Sequence, residues 1–142
     1  MKQLFFALLA SFLWGVTPII EKFAFLSKQP NPFVGVVFRT IGTAIMAFVL
    51  SLFILKLDPV AFKKIETKAI ILFMIGGALA SVIGQIFYYI ALKSGDASVV
   101  TPIAGSFPLV TFIFGVLLLG EAITIPKLLG VLFIIAGVIL LK

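Results

Sequence analysis

From Ser98 to Leu141 the chain reads SVVTPIAGSFPLVTFIFGVLLLGEAITIPKLLGVLFIIAGVILL. Two long apolar runs are separated by one Gly120-Glu121 corner. The first run carries Pro102 and Pro108, and the second carries Gly130 and Gly137. A backbone can sit in hydrocarbon only if its N–H and C=O groups are satisfied within the segment, which leaves helices and closed barrels. The dyad alternation of barrel strands is absent. The corner therefore implies a tight helical hairpin in lipid.

The rest of the chain has the same character. Hydrophobic residues make up 63% of the 142 positions and charged residues only 11%, with a mean hydropathy of +1.34. A soluble domain carries about 25% charged residues. Cysteine and histidine are absent. Disulfide and thiolate chemistry are thereby excluded, and so are the commonest metal ligand and general base. No cofactor or metal is expected, and an enzymatic role is not. The net charge of +6 would suggest nucleic acid in a soluble protein. Here the basic residues lie between apolar runs, where they set topology and meet anionic headgroups. The N-terminal Lys2 with LFFALLASFLWGV mimics a signal peptide. Its apolar run continues to Ile20, beyond the length of a secretory h-region, and Trp14 and Pro18 make a poor cleavage zone.

A spanning helix needs about 20 mostly apolar residues. Five segments qualify: residues 3–26, 32–55, 69–92, 97–119 and 124–141. The predicted fold is an all-α integral membrane protein of five transmembrane helices, one domain over residues 1–142. The turn at residues 27–32 has two prolines. In the longer connection at 56–68, Asp58-Pro59 suggests an N-cap and first helical position. Val60, Phe62 and Ile65 interleave with Lys63, Lys64 and Lys68, which fits either a short surface helix or a plain basic loop. Thr124 is placed to cap the last helix. Lys2, Lys56, Lys63, Lys64, Lys68 and Lys127 fall on one side of the membrane, and Lys22, Lys28, Lys93 and Lys142 on the other. This bias favours N-terminus in and C-terminus out, and is small enough to leave insertion in both orientations open.

Charges within spans are costly in lipid unless they pair or line a wet cavity. Glu21 near the end of the first span and Arg39 near the start of the second are expected at similar depth and close together. They would form a polar gate or substrate contact, or a structural tie between helices; the tie is favoured. Lys22 competes for the same carboxylate or snorkels outward. In the third span Gln85, Tyr88 and Tyr89 share a face at i, i+3 and i+4, with Gly77, Ser81 and Gly84 nearby. They line a cavity or form an interfacial aromatic belt. In the fourth span each proline removes a backbone hydrogen bond. Ser106 and Thr111 add hydroxyls near these breaks, and Pro108, away from the first turn, is the stronger kink. Gly130 and Gly137 present a flat stripe for packing against another helix, in this chain or a second copy.

These residues resemble one EamA-type repeat of the drug/metabolite transporter superfamily over nearly the whole chain. The resemblance rests on an ordered set: Leu13-Trp14-Gly15, Arg39, Tyr89-Ile90-Ala91-Leu92, Pro108, Leu119-Gly120-Glu121 with Ile123-Thr124, and GVLFIIAGVIL from Gly130 to Leu140. The last helix is also similar to the dimerising helix of small multidrug resistance proteins. The resemblance implies a transporter of small organic solutes such as metabolites, amino acids or drugs. Members commonly carry two inverted repeats, so a single repeat implies an antiparallel homodimer or a heterodimer with a related half. It further implies a cavity between the halves, with Trp14, Tyr88, Tyr89 and Pro108 as candidates by position.

The reading that follows is a solute transporter of the plasma membrane, acting by alternating access between two five-helix units. No nucleotide-binding loop is present, so transport would be secondary. Glu21 is the one carboxylate within a span that could couple it to protons. The candidate substrate-binding residues are Trp14, Glu21, Arg39, Gln85, Tyr88, Tyr89, Ser106 and Pro108, with Gly130 and Gly137 for packing. The alternative is a non-transporting subunit that assembles with a partner transporter or a lipid-processing complex.

Overall fold

The structure, a computed structural model, describes residues 2–27 and 31–141. Lys28, Gln29 and Pro30 of the first turn, and the terminal Lys142, lie outside the described residues. Among the described residues five helices carry the fold: α1 (Lys2–Leu26), α2 (Pro32–Leu57), α3 (Thr67–Ser94), α4 (Ala97–Leu119) and α5 (Ile125–Leu140). Among the described residues there is no strand.

Four helices, α1 to α4, are long and apolar enough to cross a membrane. At 16 residues, α5 rises about 24 Å, less than a hydrocarbon core of about 30 Å. It is shorter than the expected 124–141 span because Thr124 is consumed as its cap. A short span is accommodated by local thinning of the bilayer or by snorkelling flanks. Among the described residues buried apolar side chains are few: Val36, Tyr89 and Leu92. Large side chains such as Phe73 and Leu118 are about three-quarters exposed, at 75% and 74%. In water such a surface would be untenable; in hydrocarbon it is ordinary.

The helices divide into two compact units, residues 24–93 and residues 1–23 with 94–142. In the 24–93 unit, Asn31 starts α2: its side-chain oxygen accepts from the Phe33 N–H at 3.0 Å, and Pro32 occupies the first turn. There the missing proline N–H removes no helical bond. Asp58 ends α2 in an extended conformation. Its carboxylate accepts from the Val60 N–H at 3.2 Å and from Lys64 Nζ at 2.9 Å. This corrects the expectation that Asp58 caps an α-helix. The side chain folds the chain into a turn instead, and only one 3₁₀ turn, Ala61–Lys63, follows. Lys68 belongs to α3, so the segment is too short for an amphipathic surface helix.

Helix α3 is continuous but not uniform. Leu79–Ile83 forms a π turn in which the Gly84 N–H reaches back to the Leu79 carbonyl. Such a turn holds one extra residue, and α2 packs against it. The small residues Gly77, Ala78, Ala80, Ser81 and Gly84 around it let another backbone approach.

The other unit contains most of α1, α4 and α5. Lys22 of α1 donates from Nζ to the Gly95 carbonyl in the α3–α4 turn at 2.7 Å. Helix α4 is broken: Ala97–Ala104 and Pro108–Leu119 are separated by residues 105–107. At its far end Gly120 takes the left-handed conformation (φ 66°), which residues with a Cβ adopt at a cost. The Gly120 and Glu121 N–H groups both turn back to the Gly115 carbonyl. Thr124 then caps α5, its hydroxyl accepting from the Lys127 N–H at 3.4 Å, and α5 packs against the second half of α4.

Candidate functional site

Three places gather the chemistry-bearing residues. The first is an aromatic cluster in the 24–93 unit. The Tyr89 ring, 4% exposed, meets Phe25 edge to face at 5.1 Å between centroids. It also covers Gly35, where an added Cβ would stand 3.1 Å from two of its ring carbons. Tyr89 thus packs against α1 and α2, and the Tyr88 ring stands 6.1 Å from it. Gln85 and Tyr88 are half-buried beside it.

The second place is the break in α4. Pro108 has no N–H for the Ala104 carbonyl. The Leu109 N–H bonds to Ser106, at 2.9 Å, and not to the Gly105 carbonyl one turn back. The Ser106 hydroxyl donates to the Ile103 carbonyl at 2.7 Å, and the Thr111 hydroxyl to the Phe107 carbonyl at 3.3 Å. Both hydroxyls are thus tied locally as donors while their lone pairs stay available. The predicted kink at Pro108 is present as a full interruption.

The third place is a cleft of about 330 Å³ between α4 and α5. Phe107, Pro108, Thr111 and Phe112 form one wall, and Val131, Lys127 and Glu121 complete it. Glu121 folds back over α4 because Gly120 reverses the chain. Its carboxyl carbon lies 3.4 Å from where a Cβ on Gly115 would stand. Lys127 Nζ bonds to Glu121 Oε2 at 3.0 Å and to the Ala122 carbonyl at 3.2 Å. In the sequence Glu121 reads only as part of a corner and Lys127 only as a topology charge. The signal for their pairing was a left-handed glycine before Glu121 and a helix cap three residues before Lys127.

Of the remaining candidates, Trp14 is exposed on α1 at 67%, and Glu21 and Arg39 are half-buried. Glu21 belongs to the unit that holds α4 and α5, and Arg39 to the 24–93 unit. A Cβ added at Gly130 or Gly137 would meet nothing within 4 Å, so neither glycine is used for close packing against the described residues. Among those residues, no group of three or more acidic or thiol side chains could hold a metal.

Four long apolar helices among the described residues and a surface suited to lipid define a multi-pass α-helical membrane protein. Over residues 1–142 the chain matches the EamA-like transporter family, and it belongs to that family. It is 34% identical over 138 residues to an uncharacterized protein of Methanocaldococcus jannaschii, covering 95% of this chain and 92% of that one. An uncharacterized transporter from Sinorhizobium sp. is 43% identical over 70 residues, about half of each chain. An uncharacterized transporter of Clostridium kluyveri is 26% identical over 135 residues, which cover 95% of this chain but 42% of that protein. The aligned residues make up half or less of each of these two transporters. No solved structure matches.

Proposed function

We propose that this protein carries small organic solutes across the plasma membrane as a dimer of five-helix units that alternate between inward- and outward-facing states. The observation that carries the reading is the family match over residues 1–142. The alignment to the Clostridium transporter supports the dimer: nearly all of this chain corresponds to 42% of that protein, leaving room there for a second unit of this size. The Sinorhizobium transporter, half of which is 70 residues, has about the length of this chain.

In this reading the five helices over residues 1–142 work as one domain, with the N-terminus inside and the C-terminus outside, or inserted in both orientations. Gly130 and Gly137, open on α5, receive a helix of the second copy. Trp14, Glu21, Arg39, Gln85, Tyr88 and Ser106 face the solute path, and Pro108 acts by interrupting α4. Broken helices at the midplane are where secondary transporters place their substrates.

Solute flux into proteoliposomes holding only this chain tests the proposal. Flux above that of empty vesicles is expected; flux that appears only after a second membrane protein is added would overturn it. C-terminal reporters that read out on both membrane faces are expected of an antiparallel homodimer, and signal on one face alone would exclude that arrangement.

A further inference from the structure

We infer that the α4–α5 cleft is a seat for a phospholipid whose headgroup carries both a phosphate and a hydrogen-bonding ammonium, as in phosphatidylethanolamine. The inference rests on the charges at the Gly120 corner and not on the transport reading.

The cleft has two ends of different chemistry. At the corner, Glu121 and Lys127 form an ion pair with side chains 54% and 44% exposed. The corner joins two apolar helices, so this end lies at the membrane–water boundary. From there the trough runs down α4 past Phe112 and Thr111 to Pro108 and Phe107. Pro108–Leu119 spans 12 residues, about 18 Å of rise, which an acyl chain can follow. An apolar trough open to hydrocarbon is filled by acyl chains, because nothing else there is apolar and mobile. The headgroup end therefore decides which lipid stays.

That end carries one carboxylate and one ammonium 3.0 Å apart. An anionic head would meet Lys127 but be repelled by Glu121. A zwitterionic head satisfies both by exchanging partners, its phosphate taking Lys127 and its ammonium taking Glu121. The exchange costs little, since an exposed pair is held by no more than about a factor of five in equilibrium. Glu121 also lies against the bare Gly115 backbone, its carboxyl carbon 3.4 Å from where a Cβ there would stand. A primary ammonium donates N–H bonds to the carboxylate, and a trimethylated one cannot, so ethanolamine is favoured over choline.

The test is native mass spectrometry of the full chain released from nanodiscs of equimolar phosphatidylethanolamine, phosphatidylcholine and phosphatidylglycerol. Retained phosphatidylethanolamine is expected about three- to fivefold above the other two, as one exposed charge-assisted bond implies. Glu121→Gln should abolish the excess. Mono- and dimethylated ethanolamine lipids, which leave the protein unaltered, should give stepwise falling retention. Equal retention of the three lipids, insensitivity to N-methylation, or disulfide cross-linking between copies at Thr111→Cys, which would mean that a second copy fills the trough, would each overturn the inference.

Discussion

Gly35 and Gly42 lie two turns apart on α2 and should respond to the same substitution with opposite sign. A Cβ at Gly35 would stand 3.1 Å from Tyr89 Cδ2 and Cε2 and 3.8 Å from Phe25 Cζ. Carbon atoms in contact prefer about 3.5–4.0 Å, so the ring must retreat by about 0.4 Å. It has little room: Tyr89 is 4% exposed and stands edge-on to Phe25. Forced overpacking costs about 1–3 kcal/mol, against a gain of about 1 kcal/mol from replacing glycine with alanine in a helix. Gly35→Ala should therefore lose about 1 kcal/mol. At Gly42 nothing lies within 4 Å, and Gly42→Ala should keep the helix gain of up to about 1 kcal/mol. The two variants should differ by about 2 kcal/mol in the SDS-induced unfolding of the purified protein, followed by far-ultraviolet circular dichroism. Tyr89→Leu should relieve Gly35→Ala in a double-mutant cycle. Shifts of the same sign and size at the two glycines would refute the assignment of Tyr89 to helix packing.

Three further outcomes follow from the geometry. Gly120→Ala should cost about 1–2 kcal/mol in the same titration, because φ is 66° there, while Gly120→Asn should cost less. Pro108→Ala returns an N–H to the Ala104 carbonyl; unfolding should be unchanged or harder, and proteoliposome flux should fall sharply, whereas full flux would rule out a role for the interruption. Deleting Ser81 takes out the extra residue of the π turn and leaves Gly84–Ser94 facing as before, so the protein should remain monodisperse. Deleting Phe73 turns everything after it by about 100°, carries Tyr89 off Gly35, and should yield aggregate on size-exclusion chromatography.

The number of helices, the corner at Gly120 and the interruption near Pro108 were legible because each rests on one-dimensional physics: apolar run length, a residue that tolerates positive φ, a missing N–H. The π turn was not, since Leu79–Ile83 has the composition of its surroundings and differs only in holding one more residue than an α-turn. Nor was the role of Tyr89. At i, i+3 and i+4 a polar-tipped aromatic stripe reads equally as a cavity wall or a helix contact. What decides is the glycine on α2 that faces Tyr89, more than fifty positions away in sequence. Asp58 misled for a related reason: Asp-Pro starts helices and turns alike, and the nearby Lys64, which its carboxylate binds at 2.9 Å, tipped it to a turn.

The glycines show how far distance, rather than residue type, sets the role. Gly35 admits an aromatic ring, Gly115 admits a carboxylate, and Gly120 supplies a backbone angle. Gly130 and Gly137 do none of these, since an added Cβ at either would meet nothing within 4 Å. A helix gains nothing in lipid from glycines that touch only acyl chains, and loses about 1 kcal/mol at each relative to alanine. Two such positions seven residues apart on a helix of 16 residues leave one flat stripe open to a partner. A close backbone neighbour would offset the loss through packing, and a second copy of this chain has the matching stripe to supply it. If the proposed dimer packs through this stripe, Gly130→Leu should abolish cross-linking between copies while leaving the monomer folded, because within one copy the added side chain meets open space. A Gly130→Leu protein that still cross-links as a dimer would place the interface elsewhere.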